Sequence, residues 1–259
     1  MEDTDKFTGK KDMPFVRRLR LEHSGNVRDM GGYETSGGGV TASHTLLRSG
    51  GLSRLTKEEW KRLTDYGVRT VLDLRSEAEL ELQPDQVPEG VEWYHCPLQT
   101  GQIDQKDIAA SATEAFAGSL TEGYRNMVRE HGDLLAAALK QLIRGLDRGA
   151  VLFHCTAGKD RTGVLASAVY YLCGVSMEDI VADYEVTFTY NRGTLNHLLD
   201  QLDAEGQEKL RPFLLSEPEN MERLVSFYEE IGLEKFLMEK DVTEEEVEKL
   251  RRGFILKKV

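Results

Sequence analysis

The stretch Val151-Leu152-Phe153-His154-Cys155-Thr156-Ala157-Gly158-Lys159-Asp160-Arg161-Thr162-Gly163 joins an apolar strand to a helix through a short loop. Residues 150–154 have the continuous apolar character of a buried strand, and residues 162–173 place apolar side chains along one side of a helix. Between them, residues 155–161 form the loop. In such a setting successive backbone N–H groups face inward and the helix N-terminus adds its positive dipole end, so the loop is predicted to bind an anion.

The side chains of this loop suit attack on a phosphate group. Cys155 stands at the base of the loop, where the positive potential favours the thiolate over the thiol. Arg161 carries a planar guanidinium that can hold two phosphoryl oxygens at once. Gly158 lets the backbone approach a ligand closely. Thr162 can donate a hydrogen bond toward the sulfur or aid the departure of sulfur in the second step. His154 is predicted to support the loop from behind.

Phosphate transfer through a cysteine also needs an acid for the leaving oxygen and a base that activates water. Asp160 is the first candidate because it lies in the loop, and the alternative is that it only orients Arg161 through an ion pair. Asp73, at the end of a predicted strand, is the second candidate, with capping of Arg75 or of a turn as an equal alternative. Two carboxylates in a segment without clear periodicity are weaker candidates: Asp104 and Asp107.

Other charged residues near these segments have open roles. Lys159 is either a second cation for substrates with additional phosphates or a solvent-facing lysine that supports long-range attraction. A hairpin turn is predicted at Gly37-Gly38-Gly39. Arg28 and Asp29 are expected to pair with each other or to hold this N-terminal hairpin, and Arg48 is expected to act similarly.

Strand and helix patterns alternate through the middle of the chain, which predicts a parallel sheet with crossover helices. Strands are predicted at residues 68–74 and 91–98, a helix capped by Thr56 and Glu59 precedes them, and residues 120–148 form helices broken near Gly132. The fold class is therefore α/β, with a mostly parallel central sheet flanked by helices. Residues 1–14 are predicted to be a flexible tail and 15–259 a single domain, in which residues 176–259 add only helices. The first of these helices is predicted to run from Ser176 to about Tyr190, and the last is predicted to be capped by Thr243 with Glu246.

Composition excludes several classes of protein. The net charge is −12 and the pI about 5.1, with no basic stripe of the kind that binds nucleic acid. No apolar run approaches the ~20 residues needed to span a bilayer. Three cysteines (Cys96, Cys155 and Cys173) favour a reducing compartment over a disulfide framework. A polar start without an apolar signal core predicts a cytoplasmic protein, with signal-free export left open.

The segment His-Cys-Thr-Ala-Gly-Lys-Asp-Arg-Thr-Gly at 154–163 resembles the signature loop of the protein tyrosine phosphatase superfamily. Its Lys-Asp pair before the arginine is similar to the bacterial atypical branch, which includes mycobacterial phosphatase B and a Listeria lipid phosphatase. Flanking segments that also resemble this branch are Asn-Val-Arg-Asp-Met-Gly-Gly-Tyr at 26–33, Leu-Arg-Ser at 47–49, Asp-Leu-Arg at 73–75 and the tail at 218–254. The resemblance covers about residues 15–255.

The resemblance implies a phosphatase-like fold and a cysteinyl-phosphate mechanism, with Cys155 as nucleophile and Arg161 as the phosphate-binding residue. The substrate-binding residues that it implies are Thr156, Ala157, Gly158, Lys159 and Thr162. Expected substrates are phosphotyrosine proteins, with activity extending to phosphoserine, phosphothreonine and phosphoinositide headgroups. No metal or organic cofactor is implied, because thiolate, guanidinium and backbone dipoles supply the chemistry.

The acid residue and the class of function both have alternatives. Many members of the superfamily use the aspartate of a Trp-Pro-Asp loop as the acid, but this chain has no such tripeptide, and its only tryptophans are Trp60 and Trp93. Alternative functions are a phosphate-binding pseudophosphatase that retains the loop for recognition and a rhodanese-like sulfur carrier. The sequence does not indicate the oligomeric state.

Overall fold

A five-stranded sheet forms the centre of the protein. The computed structural model describes residues 14–98, 119–200 and 203–257. In chain order the strands are β1 (Arg28–Asp29), β2 (Gly39–Thr41), β3 (Leu46–Ser49), β4 (Val68–Asp73), β5 (Glu92–His95), β6 (Ala150–His154) and β7 (Ile255–Lys257). The central sheet has the order β1-β3-β6-β4-β5, and β2 pairs with β7 in a separate ribbon. Within the central sheet only β1 is antiparallel to its neighbour.

Helices cover the sheet and form most of the C-terminal part. They are α1 (Lys57–Asp65), α2 (Glu77–Leu82), α3 (Leu120–Arg129), α4 (Gly132–Gly145), α5 (Asp160–Leu172), α6 (Met177–Leu199), α7 (Ala204–Leu214), α8 (Pro218–Ile231), α9 (Leu233–Met238) and α10 (Glu244–Phe254). None of these described helices is long and apolar enough to cross a membrane.

Strand β6 is buried on both faces, as its uninterrupted apolar sequence predicts for a central parallel strand. Its side chains alternate between two hydrophobic clusters. Val151 and Phe153 join the larger cluster with α4, α5 and the C-terminal helices, whereas Leu152 joins the smaller cluster with Trp60 of α1. The loop that follows β6 therefore leaves the sheet at the carboxyl ends of the parallel strands, where α/β proteins place their sites.

Helix ends follow local signals in the sequence. The predicted capping boxes at Thr56 and at Thr243 are both formed, so both predictions are confirmed. A third capping box joins Ser76 to Glu79 at the start of α2, a helix that the sequence analysis does not predict. Gly174 has φ 74° just after α5, a left-handed conformation that glycine adopts without strain and that stops the helix.

The α/β class with a mostly parallel sheet is confirmed, but the C-terminal part is not all-helical. The short strand β7 follows α10 directly and pairs with β2, so that Ile255 lies opposite Thr41. Helix α6 also continues beyond its predicted end at Tyr190 to Leu199. The predicted tail, apart from Pro14, lies outside the described residues, and the single-domain boundary stays a prediction.

Candidate active site

The loop between β6 and α5 begins at Cys155 and ends at Lys159. Cys155 is buried at the carboxyl end of β6, and the first turn of α5 begins five residues later at Asp160. Gly158 has φ 65°, and a Cβ atom there would lie 2.3 Å from the carbonyl oxygen of Ser49. Both the backbone conformation and the close approach to β3 therefore require glycine at this position.

The backbone carbonyl groups of the loop accept hydrogen bonds from residues that lie outside it. Four successive carbonyls, those of residues 155–158, accept hydrogen bonds from the surrounding protein. In loop order the donors are His154 Nδ1 (3.2 Å), Gly51 N (3.0 Å), Asn191 Nδ2 (2.8 Å) and, at Gly158, both Asn26 Nδ2 (2.8 Å) and Arg48 Nη2 (2.9 Å). In a trans peptide the C=O and the next N–H point in opposite directions. The amides of residues 156–159 are thereby turned toward the interior of the loop, as an anion cradle requires.

Arg48, one of these donors, belongs to a buried cluster of charged side chains. Arg28 and Arg48 lie directly opposite each other on β1 and β3, a like-charge pairing that destabilises a sheet on its own. Asp183 of α6 lies between them, 3.0 Å from Arg28 Nε and 2.7 Å from Arg48 Nη1. Burial opposes ionisation of Asp183, but the charges of Arg28 and Arg48 outweigh it and lower the pKa of Asp183.

The expected pairing of Arg28 with Asp29 is wrong. Arg28 binds Asp183, which is 155 residues away in the sequence. Asp29 instead accepts hydrogen bonds from the backbone of Gly31 and His44 and from the hydroxyl of Tyr66. Its carboxylate therefore fixes the N-terminal segment, as expected, but without the neighbouring arginine.

Replacing Asp183 with asparagine is expected to lower the free energy of unfolding by about 3–5 kcal/mol, because two buried guanidinium groups lose their shared carboxylate. Urea unfolding at pH 7 measures this change. As the pKa of Asp183 is lowered in the folded state, its contribution is present at neutral pH and is lost as the pH falls below about 4, so the difference between variant and wild type shrinks in acid.

The matched control is Asp65→Asn, which removes the exposed ion pair with Lys61 and is expected to cost less than about 1 kcal/mol. If Asp183→Asn unfolded at the same urea concentration as the wild type, Asp183 would not be the carboxylate that compensates the two arginines.

Arg161 is held by a carboxylate that the sequence analysis misses. Its guanidinium makes a two-point pair with Glu79 of α2, with Nη2 2.9 Å from Oε1, and the hydroxyl of Thr156 donates to the same carboxylate. Burial alone would lower the pKa of Arg161, but the hydrogen bonds to Glu79 outweigh it and raise the pKa. Burial opposes ionisation of Glu79, yet the hydrogen bonds and charge of Arg161 lower its pKa strongly.

Asp160 lies at the mouth of the loop with 21% of its side chain exposed. Its Oδ1 accepts a hydrogen bond from the hydroxyl of Tyr124 at 2.6 Å and lies 3.2 Å from Lys159 Nζ. Since the guanidinium of Arg161 pairs with Glu79, the geometry does not favour the alternative in which Asp160 orients Arg161.

Lys159 is buried, so the solvent-facing alternative is wrong. Its ammonium group lies 3.2 Å from Asp160 Oδ1 and donates to the carbonyl of Leu215, between α7 and α8, also at 3.2 Å. The side chain thus connects the loop to the C-terminal helices.

Asp73 occupies a buried position under the loop. Both of its oxygens accept from the guanidinium of Arg75, at 2.9 and 2.6 Å. Burial opposes its ionisation, but the hydrogen bonds from Arg75 outweigh it and lower the pKa of Asp73. A fully buried, ionised carboxylate suits the alternative of pairing with Arg75 better than the role of a proton donor. Asp104 and Asp107 lie outside the described residues.

Asp73, Asp85 and His154 form the one group among the described residues that has the spacing of metal ligands. Arg75 Nη2 lies 2.6 Å from Asp73 and 3.1 Å from Asp85, so one guanidinium already pairs with both carboxylates. A divalent cation would face that positive charge directly, which makes the cluster a poor metal site. His154 Nε2 lies 2.8 Å from Asp85 and thereby fixes the ring that donates to the carbonyl of Cys155.

One predicted contact is not formed. The hydroxyl of Thr162 is buried and has no hydrogen-bond partner in the described part of the chain, so it does not bind the sulfur of Cys155 here. Sequence reasoning also misses four residues that hold the site: Asn26, Glu79, Tyr124 and Asn191. Glu79 has a local signal, the spacing Ser76-x-x-Glu79 of a capping box, and Asn26 begins the segment 26–33 that resembles the phosphatase branch.

The sequence of this chain is similar to those of several tyrosine phosphatases. Residues 19–255 match the tyrosine phosphatase family. A tyrosine-protein phosphatase of Nostoc commune is 33% identical over 148 residues, which are 57% of this chain and 50% of that protein. A putative tyrosine-protein phosphatase of Cupriavidus necator is 29% identical over 64% of this chain and 61% of its own length. The triple specificity protein phosphatase PtpB of Mycobacterium tuberculosis is 32% identical over 54% of this chain and 59% of its own length.

The chain thus spans about half to three-fifths of the length of these relatives. Among solved structures, P. aeruginosa TpbA aligns over 70% of this chain and 95% of its own, with 17% identity and a TM-score of 0.35. A variant of TpbA in complex with phosphotyrosine aligns over 57% of this chain and 72% of its own, with 19% identity and a TM-score of 0.33.

Proposed function

The chain belongs to the tyrosine phosphatase family, and on that premise we propose that it hydrolyses phosphate monoesters, phosphotyrosine in proteins first, through a covalent phosphate on Cys155. The observation that carries the proposal is the set of external donors to the carbonyls of residues 155–158. Those donors turn the amides of residues 156–159 toward the position that an anionic substrate would take, above a buried cysteine.

In the first step the Cys155 thiolate attacks phosphorus. The S–P bond forms, the P–O bond to the leaving group breaks, and Asp160 gives its proton to the departing oxygen. Arg161 and the amides of residues 156–161 hold the three remaining oxygens. The two-point pair with Glu79 supports this role because it fixes the plane of the guanidinium before substrate arrives.

In the second step water replaces the sulfur. Asp160, now ionised, takes a proton from the attacking water, the new O–P bond forms, and the S–P bond breaks to regenerate the thiolate and release phosphate. The hydroxyl of Thr162, buried without a partner among the described residues, is free to donate to the departing sulfur.

The proposal also covers the range of substrates that the enzyme hydrolyses. We extend it to phosphoserine, phosphothreonine and phosphoinositide headgroups, since PtpB, one of the relatives, is named a triple specificity protein phosphatase. No nucleic acid partner is proposed for a chain of net charge −12.

A reducing compartment, the cytoplasm, fits this chemistry. The three cysteines are free thiols, and Cys155 must stay reduced to act. Burial raises the pKa of both Cys96 and Cys173 to about 12, so these two remain protonated and take no part in the chemistry.

The test is steady-state and rapid-mixing kinetics on the purified chain. We expect phosphate release from para-nitrophenyl phosphate and from a phosphotyrosine peptide, with a burst of nitrophenolate equal to the enzyme concentration if breakdown of the intermediate is slower than its formation. Binding of the peptide without turnover would indicate the pseudophosphatase instead. Sulfur transfer from thiosulfate would indicate the rhodanese-like alternative.

Replacing Lys159 with alanine is expected to lower kcat by about tenfold on both the phosphotyrosine peptide and a soluble phosphoinositide, because its ammonium group holds Asp160 and the Leu215 carbonyl. Parallel rate measurements on the two substrates check this. Lys140→Ala, which removes an exposed lysine that binds the carbonyl of Asp241, is the control. A loss confined to the phosphoinositide would show that Lys159 contacts the additional phosphates.

A further inference from the structure

Two buried tyrosines form a chain of hydroxyl groups that ends on Asp160. Tyr124 of α3 donates to Asp160 Oδ1 at 2.6 Å, and the hydroxyl of Tyr184 of α6 lies 2.8 Å from that of Tyr124. Their rings meet edge to face, with centroids 6.1 Å apart. Because the proton of Tyr124 is directed at the carboxyl group, Tyr184 must donate its own proton to the oxygen of Tyr124. Burial raises the pKa of both phenols, so they remain protonated donors.

The two oxygens of Asp160 have different surroundings. Oδ1 faces the hydroxyl of Tyr124 and the ammonium group of Lys159, both of which are donors. No donor is bound to Oδ2 within the described part of the chain. An oxygen that already accepts from two donors is a poor place for a proton, so a proton on this carboxyl group belongs on Oδ2.

The residue that fixes the position of this proton, Tyr124, lies on a helix outside the loop. Asp160 opens helix α5, whereas Tyr124 lies on α3, and α3 packs against α5. A carboxyl group at a helix N-terminus can rotate about two side-chain bonds, and 21% of the Asp160 side chain is exposed. Anchoring Oδ1 removes that freedom and leaves Oδ2 as the oxygen that can meet a leaving group.

We infer that Tyr124 is a positioning residue for the acid step: it fixes the Asp160 carboxyl group so that Oδ2 carries the proton given to the leaving oxygen. This inference rests on the proposed function, because it assigns the geometry of one of its steps. Tyr184 supports Tyr124 in turn, by donating to its oxygen.

The test uses Tyr124→Phe and a series of aryl phosphates whose phenols differ in pKa. A good leaving group needs no acid, whereas a poor one does. We expect Tyr124→Phe to lower kcat/KM by about tenfold on phenyl phosphate and by less than about threefold on 2,4-dinitrophenyl phosphate, a fraction of the 10²–10⁴-fold that general acid catalysis contributes. A merely structural role would lower both rates equally.

The control is Tyr228→Phe. Tyr228 is also buried against α5, and its hydroxyl is 2.9 Å from Ser167 Oγ and 3.2 Å from the carbonyl of Val164, so its loss disturbs the same helix away from Asp160. We expect its leaving-group dependence to equal that of the wild type. Thermal unfolding verifies that each variant is folded. If Tyr124→Phe does not fold, Tyr184→Phe keeps the donor on Asp160 and is expected to show a weaker loss with the same preference for poor leaving groups.

A double variant separates this inference from the proposed function. On an Asp160→Asn background, Tyr124→Phe is expected to cause no further loss on phenyl phosphate, because its effect passes through the carboxyl group. Full addition of the two losses, or equal losses on both substrates, would overturn the inference while leaving the phosphatase activity established. Absence of turnover by the wild type would overturn the proposed function, and the inference with it.

Discussion

Replacing Cys155 with serine is expected to reduce hydrolysis of para-nitrophenyl phosphate by at least about four orders of magnitude, as removal of a nucleophile does in other covalent enzymes. The cysteine lies buried at the base of the loop, beneath the inward-facing amides of residues 156–159, and the proposed reaction uses its sulfur as the nucleophile. A serine hydroxyl in the same place stays protonated at neutral pH and is a far weaker nucleophile than a thiolate. The measurement is initial phosphate release at saturating substrate.

Two further variants test whether the loss of activity is specific to Cys155. Cys96→Ser and Cys173→Ser remove the other thiols, and we expect both to keep activity within a few-fold of the wild type, because neither lies in the loop. The Cys155→Ser protein should still bind a phosphotyrosine peptide, since Arg161 and the loop amides are unchanged. Residual turnover above one part in about a thousand would indicate a different nucleophile.

The strand, loop and helix around Cys155 are predictable because their signals are local. An apolar strand, a glycine where φ is positive and a helix start within a few residues identify the cradle without knowledge of distant partners. The same holds for the capping boxes at Thr56 and Thr243, which involve residues only three positions apart.

Partners from distant parts of the chain could not be predicted in this way. Arg161 is paired with Glu79, 82 residues earlier, and Tyr124 reaches Asp160 across 36 residues. Such contacts depend on how distant segments pack together, as α3 does against α5 and α8, which no local pattern specifies. Arg28 illustrates the opposite error, in which a local pattern suggests a contact that is not formed. Its sequence neighbour Asp29 suggests an ion pair, but Arg28 binds Asp183 and the Asp29 carboxylate binds the hydroxyl of Tyr66.

Strand β7 was missed for a similar reason. Its three residues follow helix α10 without a turn, and only pairing with β2 makes them a strand. A segment this short has too few residues to show an alternating pattern, so its structure is decided by the partner strand. By contrast, the predicted break near Gly132 is confirmed, since the sequence itself interrupts the helical pattern there.

An acidic protein can still hold an anion where its cations are concentrated. Although the net charge is −12, Arg28 and Arg48 share one carboxylate behind the loop, which leaves one positive charge uncompensated within that cluster. In a low-dielectric interior this nearby charge outweighs distant surface carboxylates, whose effect is screened by water and salt. Specific recognition of an anion therefore depends on the loop and on the buried arginines behind it. The overall negative charge of the protein disfavours loosely bound anions.

Replacing Arg161 with lysine is expected to lower kcat/KM for the phosphotyrosine peptide by about a thousandfold, although the charge is retained. The guanidinium has enough donors to bind Glu79 and two phosphoryl oxygens at the same time, whereas an ammonium group on a flexible stem cannot keep both sets of contacts. Glu79→Gln, which keeps the shape but removes the charge, is expected to cost about tenfold, because Arg161 stays in place with a weaker partner. Steady-state kinetics on both variants tests the argument. If lysine at this position retained near-normal activity, charge alone would suffice, and the planar pair with Glu79 would have no part in orienting the phosphate.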